Sequence, residues 1–372
     1  MKTRTVLITG GAGFIGSHVA TELLKAGYHV RVLDNLVTQV HGDNPDRPDY
    51  LNKNVEFILG DVRNPEIVDE VLKGVDAVYH FVALVGVGQS MYQIAEYTSV
   101  NNLGTAVLLE RLVKSSVRKL IVASSMSIYG EGLYVTPEGD PYPFASRTAA
   151  QLKAHEWEMA TPDGRPLRPV ATPETKQPSL ASIYALSKYD QEQMCLVVGR
   201  AYGIPTVALR FFNAYGPFQS LSNPYTGVLA IFASRLLNRK RPMIFEDGEQ
   251  LRDFVSVYDV AQACRLALEV DAAHDMVFNV GSGQTISVSN VARKLARVLG
   301  TNIEPEITGK YRVGDIRHCF PDISRAREVL GFRPKISLEQ GIRDLAGWLE
   351  QQTAHDRFNE MREELTSRGL VV

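Results

Sequence analysis

Residues 6–20, VLITGGAGFIGSHVA, place Gly10, Gly13 and Gly16 between a β-branched run and an amphipathic one. Few local patterns restrict a fold as much. Glycine at such a turn lets backbone amides approach an anion, and the start of the following helix favours negative charge. The spacing is GxxGxxG, a variant of the GxGxxG turn that joins the first strand and helix of dinucleotide-binding βαβ units. The second strand candidate, 29–33, runs into Asp34 in RVLDNL. A carboxylate there accepts hydrogen bonds from an adenosine ribose and repels a 2′-phosphate, so NAD is expected over NADP. Asp61, in LGDVR after the third strand candidate, is expected near the adenine edge.

The pattern continues. TVLIT (5–9), HVRVL (29–33), VEFIL (55–59), DAVYHF (76–81) and KLIVAS (119–124) read as strands, with FIGSHVATELLKAG and NNLGTAVLLERLVKS as helices between them. Continuous apolar strands alternating with amphipathic helices imply a parallel sheet covered on both faces by right-handed crossovers. The expected fold class is therefore α/β: a Rossmann-type doubly wound parallel sheet with a smaller mixed C-terminal domain. Residues 1–212 are assigned to the first and 213–350 mainly to the second, with some later segments returning to the sheet. A Pro-, Gly- and charge-rich insertion at about 131–180 breaks the rhythm around one helical candidate, RTAAQLKAHEWEMA. Residues 351–372 read as a polar tail able to fray.

Composition excludes several classes. Apolar residues make up 45% and charged ones 22%, with a net charge of −2, which gives no nucleic-acid or membrane surface. Three widely spaced cysteines and eight histidines form neither a disulfide framework nor a metal-ligand pattern, so no metal is expected. The apolar run VYHFVALVGVG is too short to span a bilayer, and a reducing cytoplasm fits.

SIYALSK places Tyr184 and Lys188 one helical turn apart, on one face. A solvated helix produces the same pair by chance. The pair gains meaning beside the glycine loop, Asp34, GDVR and SSMSIYG. Together these resemble the extended short-chain dehydrogenase/reductase family, among its NAD-dependent nucleotide-sugar epimerases and dehydratases, over nearly the whole chain.

The resemblance implies roles. Tyr184 is the base, Lys188 lowers its pKa and holds the nicotinamide ribose, and Ser125 orients the sugar hydroxyl. A free tyrosine titrates near about 10, so neighbouring positive charge would be needed to favour the phenolate. NAD would be held by Gly10, Gly13, Phe14, Ile15, Gly16, Asp34, Asn35, Asp61, Val62, Phe81, Val82, Ala83, Asn101, Ser124, Tyr184 and Lys188. The nucleotide sugar would meet Ser125, Ser127, Tyr184, Asn213, Arg252 and Arg312, the arginines pairing with its diphosphate. Dehydratases of the family carry Asp-Glu directly after the Ser/Thr, and decarboxylases a glutamate at the second of those positions. Met126 and Ser127 stand there in this chain, which leaves C4 epimerisation through a 4-keto sugar. Sequence similarity is nearest to members that interconvert dTDP-L-rhamnose and dTDP-6-deoxy-L-talose. UDP-hexose or UDP-hexuronate substrates and a 4-ketosugar reductase are the alternatives. The family also implies a homodimer through a four-helix bundle, from helices at about 94–115 and 182–202. The insertion is expected to fold over the sugar site.

Overall fold

A computed structural model describes residues 4–43, 46–312, 314–352 and 356–371. Strand β1 (Thr5–Thr9) enters the glycine turn and α1 (Phe14–Lys25), which returns to β2 (His29–Asp34). Strands β3 (Glu56–Leu59), β4 (Ala77–His80), β5 (Lys119–Ser125), β6 (Thr206–Phe211) and β7 (Val277–Val280) complete one seven-stranded sheet. Its order is β7-β6-β5-β4-β1-β2-β3, and every pairing is parallel. The strand order reverses between β1 and β4, which opens a crevice at the carboxyl ends of the strands. Separate apolar cores cover the two faces, as β-branched strands buried on both sides require.

The helices between 94 and 112 differ from one continuous element. A π-helical turn, Thr98–Leu103, separates Ile94–Tyr97 from α2 (Gly104–Leu112). The long α3 (Ile183–Tyr202) packs on β5 and begins at Ser182, whose hydroxyl accepts the amide of Ala185. Beyond β6 the chain builds a second layer from α4 (Val228–Leu237), α5 (Val257–Glu269), α6 (Val288–Val298) and α7 (Leu338–Leu349). Of these, α5 packs against α1 of the sheet domain, whereas α4, α6 and α7 share a core of their own.

Two expectations need correcting. In RTAAQLKAHEWEMA only Ala149–Lys153 is helical, started by a Thr148–Gln151 capping box. His155 takes a positive φ of 60° soon after, which ends the run. The rest of 131–180 forms a small antiparallel sheet of Leu133–Val135, Pro141–Tyr142 and Arg168–Val170. The polar tail is not frayed throughout: Phe358–Ser367 is a helix, α8, burying Phe358, Met361 and Leu365. Apolar residues at i, i+3 and i+7 give it one burying face despite its polar composition.

Candidate active site

One cavity of about 740 Å³ lies along the crevice and continues toward α4. At one end is the glycine loop. Gly10 has a φ of +72°, and a Cβ there would sit 2.9 Å from the Val82 amide nitrogen. A Cβ on Gly16 would meet the Gly10 carbonyl at 2.5 Å. Both positions therefore exclude side chains, and α1 starts with no acidic residue in its first turn. That leaves free amides and an uncompensated helix N-terminus facing the cavity, suited to a pyrophosphate. Asp34 is buried; its carboxylate accepts the Ala12 and Leu36 amides at 3.0 Å each. Fixed this way, it lines the cavity beside the glycine loop.

Most residues expected to hold NAD line this end: Gly13, Phe14, Ile15, Asn35, Val62, Phe81, Val82, Ala83 and Ser124. The buried Ser124 hydroxyl has no hydrogen-bond partner within the protein, a polar group in search of a ligand. Asp61 also lines the cavity, but Arg63 and Asn35 already engage its carboxylate. Arg63 holds that carboxyl below its ordinary pKa.

Asn101 is a correction. It is fully buried and does not line the cavity. The π-helical turn points its amide inward, where Oδ1 accepts the Leu84 amide at 2.8 Å and Nδ2 donates to Ser187 at 2.9 Å. Asn101 thus fastens the 82–85 cavity wall to α3, one layer behind the position expected of it.

At the centre, Ser125 ends β5 while Tyr184 and Lys188 project from the first turns of α3, and all three line the cavity. Burial raises the Tyr184 pKa, opposed by a hydrogen bond with Ser125. Lys188 is itself held and buried. Its Nζ donates to Gln191 Oε1 at 2.7 Å, and burial lowers its own pKa to about 8. Desolvation acts on both groups and favours their neutral forms. Gln191, one turn further along α3, was not anticipated; its amide also donates to the Val82 carbonyl and Thr105. Its spacing from Lys188 was the available signal. Met126 and Ser127 follow Ser125 into the cavity with no acid or base at either position.

Beyond the centre, Asn213, Arg252 and Arg312 line the far end. Asn213 donates to the Asp253 carbonyl at 2.9 Å. Arg252 spends three of its five N–H donors on the carbonyls of Leu251, Ile316 and Arg317, so its remaining edge is aimed rather than free. Arg312 pairs bidentately with Asp315 and lies over the Phe245 ring. A diphosphate would therefore share Arg312 with a resident carboxylate.

The insertion does not cover the cavity: no residue of 131–180 lines it. Instead it props the 315–319 segment from behind. Glu131 accepts the amides of Arg317 and His318, and Glu158 pairs with both of their side chains. The buried Arg317 also pairs with Glu246 and Asp247. Those ion pairs fix the carbonyls that orient Arg252, a role no local motif announces.

Among the described residues no group of His, Cys, Asp and Glu could hold a metal ion, and no helix is long and apolar enough to cross a membrane.

With that geometry, the similarities to known proteins can be placed. The model of the NAD dependent epimerase/dehydratase family matches residues 6–155 and 159–281. A dTDP-L-rhamnose 4-epimerase of Burkholderia thailandensis is 36% identical, covering 96% of this chain and 97% of its own. The UDP-glucose 4-epimerase of Thermotoga maritima, solved with UDP-glucose, is 32% identical, with a TM-score of 0.77 over 93% of this chain and 99% of its own. The UDP-glucuronic acid 4-epimerase of Bacillus cereus, solved with UDP-glucuronic acid and NAD, is 27% identical, with a TM-score of 0.76 over 93% and 99%. The glycine cradle, the buried Asp34 carboxylate and the unpartnered Ser124 hydroxyl fit NAD, and the chain belongs to the NAD dependent epimerase/dehydratase family.

Proposed function

We propose that this enzyme interconverts nucleotide sugars epimeric at C4, through a transient 4-keto sugar, and that its substrate pair is dTDP-L-rhamnose and dTDP-6-deoxy-L-talose. The observation that carries the reaction class is the surroundings of Tyr184. One phenol, with Ser125 opposing the upward shift of its pKa, is followed on the Ser125 side by Met126 and Ser127, so proton transfer at an alcohol is served and elimination of water is not. NAD, when bound, supplies the acceptor and donor of hydride and a positively charged ring. Ser125 orients the sugar hydroxyl, and Tyr184 takes and returns its proton. Lys188, whose Nζ donates to Gln191, holds the nicotinamide ribose in this reading. Arg252, Arg312 and Asn213 grip the diphosphate, leaving the keto sugar free to turn and present its other face.

Support for the sugar comes from the 36% identical relative and from the cavity wall. Among the described residues its basic side chains are His41, Arg63, Lys188, Arg252 and Arg312. All five lie at the adenosine end, beside Tyr184, or at the diphosphate, so none remains for a hexuronate carboxylate. The similarity to the Thermotoga enzyme favours a UDP-hexose as the second reading.

The enzyme would work as a homodimer. Ile94, Leu103, Leu186 and Val197 are exposed apolar side chains on the two helical segments that a four-helix bundle would bury. Its three buried free thiols suit a reducing cytoplasm.

NMR of the purified enzyme with a panel of dTDP- and UDP-sugars, alongside absorbance at the NADH band, tests this. Epimer formation from dTDP-L-rhamnose with no net NADH supports the reading. Stoichiometric NADH formation or consumption would make it a reductase or dehydrogenase.

A further inference from the structure

We infer that Leu365 and Met361 of α8 form an apolar wall for the C6 substituent of the sugar, selecting a methyl group over a hydroxymethyl or carboxylate. The inference rests on the 6-deoxysugar reading above. Both side chains are buried and line the cavity, although they come from a tail that composition marks as polar.

Their place along the cavity follows from their neighbours. Leu365 lies against Gly88, where an added Cβ would come within 3.1 Å of its Cδ2. Two residues later, the Ser90 hydroxyl accepts the Tyr184 amide at 3.0 Å. Leu365 is therefore joined through one short loop to the first turn of the catalytic helix. At the other end of α8, Phe358 shares a cluster with Met243 and Phe245, and Phe245 lies beneath Arg312. The helix thus runs alongside the substrate from sugar to diphosphate.

The aromatic and charged side chains beside this wall are largely engaged with one another. The hydroxyls of Tyr92 and Tyr225 bond to each other, which commits one of their two protons, and Tyr225 lines the cavity. Arg368 stacks on Tyr92 and pairs with Glu364 on the outer face of α8. A sugar hydroxyl against the Leu365 and Met361 side chains would lose its water without gaining a partner from them, whereas a methyl would not. Gly88 is explained at the same time, because any side chain there would displace Leu365.

The test compares wild type, Leu365→Ser and Leu365→Met on a dTDP-6-deoxysugar and on the matching dTDP-hexose bearing a 6-hydroxyl. NAD content and the affinity for dTDP alone are measured in parallel. Leu365→Ser is expected to lose about tenfold in kcat/KM on the deoxysugar and to narrow the preference between the two sugars. NAD content and dTDP affinity stay at wild-type levels, and Leu365→Met keeps the preference. If Leu365→Ser does not fold, Gly88→Ala, which pushes Leu365 aside, must shift the preference in its place. Unaltered preference in the folded variant, or an equal loss of affinity for dTDP alone, overturns the inference. A wild type that prefers the 6-hydroxylated sugar overturns both the inference and the substrate reading. A wild type that prefers the deoxysugar while its variants match it overturns the inference alone.

Discussion

The two ends of the cavity are built by different means. The cofactor end has a backbone frame within residues 5–36, a glycine turn, a helix N-terminus and one aspartate fixed by two amides, with side chains near 61, 81 and 124 around it. The sugar-nucleotide end is made of side chains from segments far apart in sequence, near 213, 252, 312 and 361, held by ion pairs to an insertion that never reaches the cavity. A backbone site is rigid as soon as its strand and helix form. A side-chain site is only as rigid as the contacts behind it. Substitutions should therefore separate, with cofactor retention insensitive to changes behind Arg252 and substrate affinity sensitive to them.

Tyr184→Phe, at the junction of the two ends, should have the largest effect. Turnover is expected to fall by about 10²–10⁴-fold while NAD remains bound, read by NMR and by cofactor released on denaturation. Retained activity would remove Tyr184 from its role. Next is Arg317→Ala, which takes one of two arginines from the buried Glu246 and leaves Arg147 paired with it. Breaking a buried pair outright costs about 3–5 kcal/mol, and the remaining Arg147 should keep the loss below that, measurable by urea unfolding. The folded fraction should still carry NAD, and a matched loss of NAD would erase the contrast between the two ends. Arg252→Gln removes a charge aimed by three carbonyls. It should raise the KM for the nucleotide sugar about tenfold, as expected for charge-assisted hydrogen bonds, with kcat little changed.

The smallest effect is on pH. Burial holds Lys188 near a pKa of about 8 against an ordinary 10.5, so its ammonium is present below about 8 and lost above it. Activity that needs this charge should fall several-fold between about pH 7 and 9. Stability should move the opposite way, because between about 8 and 10.5 the unfolded chain binds the proton more tightly than the folded one. A rate that stays level to pH 10 would separate Lys188's charge from catalysis.

The same contrast explains what could be read in the chain. The glycine loop, Asp34 and the alternation that builds the sheet are local, and their residue types dictate backbone geometry directly. Tyr184, Lys188 and Ser125 were visible because one face of a helix and the end of a strand are also local properties. Asn101 was misplaced because a π-helical turn rotates it inward, and no simple periodicity foretells such a turn. The Arg317 cluster joins residues 70 to 187 positions apart, so no spacing could reveal it. The tail was legible in part: Phe358, Met361 and Leu365 keep helical spacing, but the charged residues between them concealed one apolar face.

The most direct test of the account follows a label. A dTDP-L-rhamnose deuterated at C4 should give an epimer that keeps its deuterium at C4, in solvent water and without added cofactor. Loss of the label to solvent, or its appearance in free NADH, would contradict a reaction closed within one site and one retained cofactor.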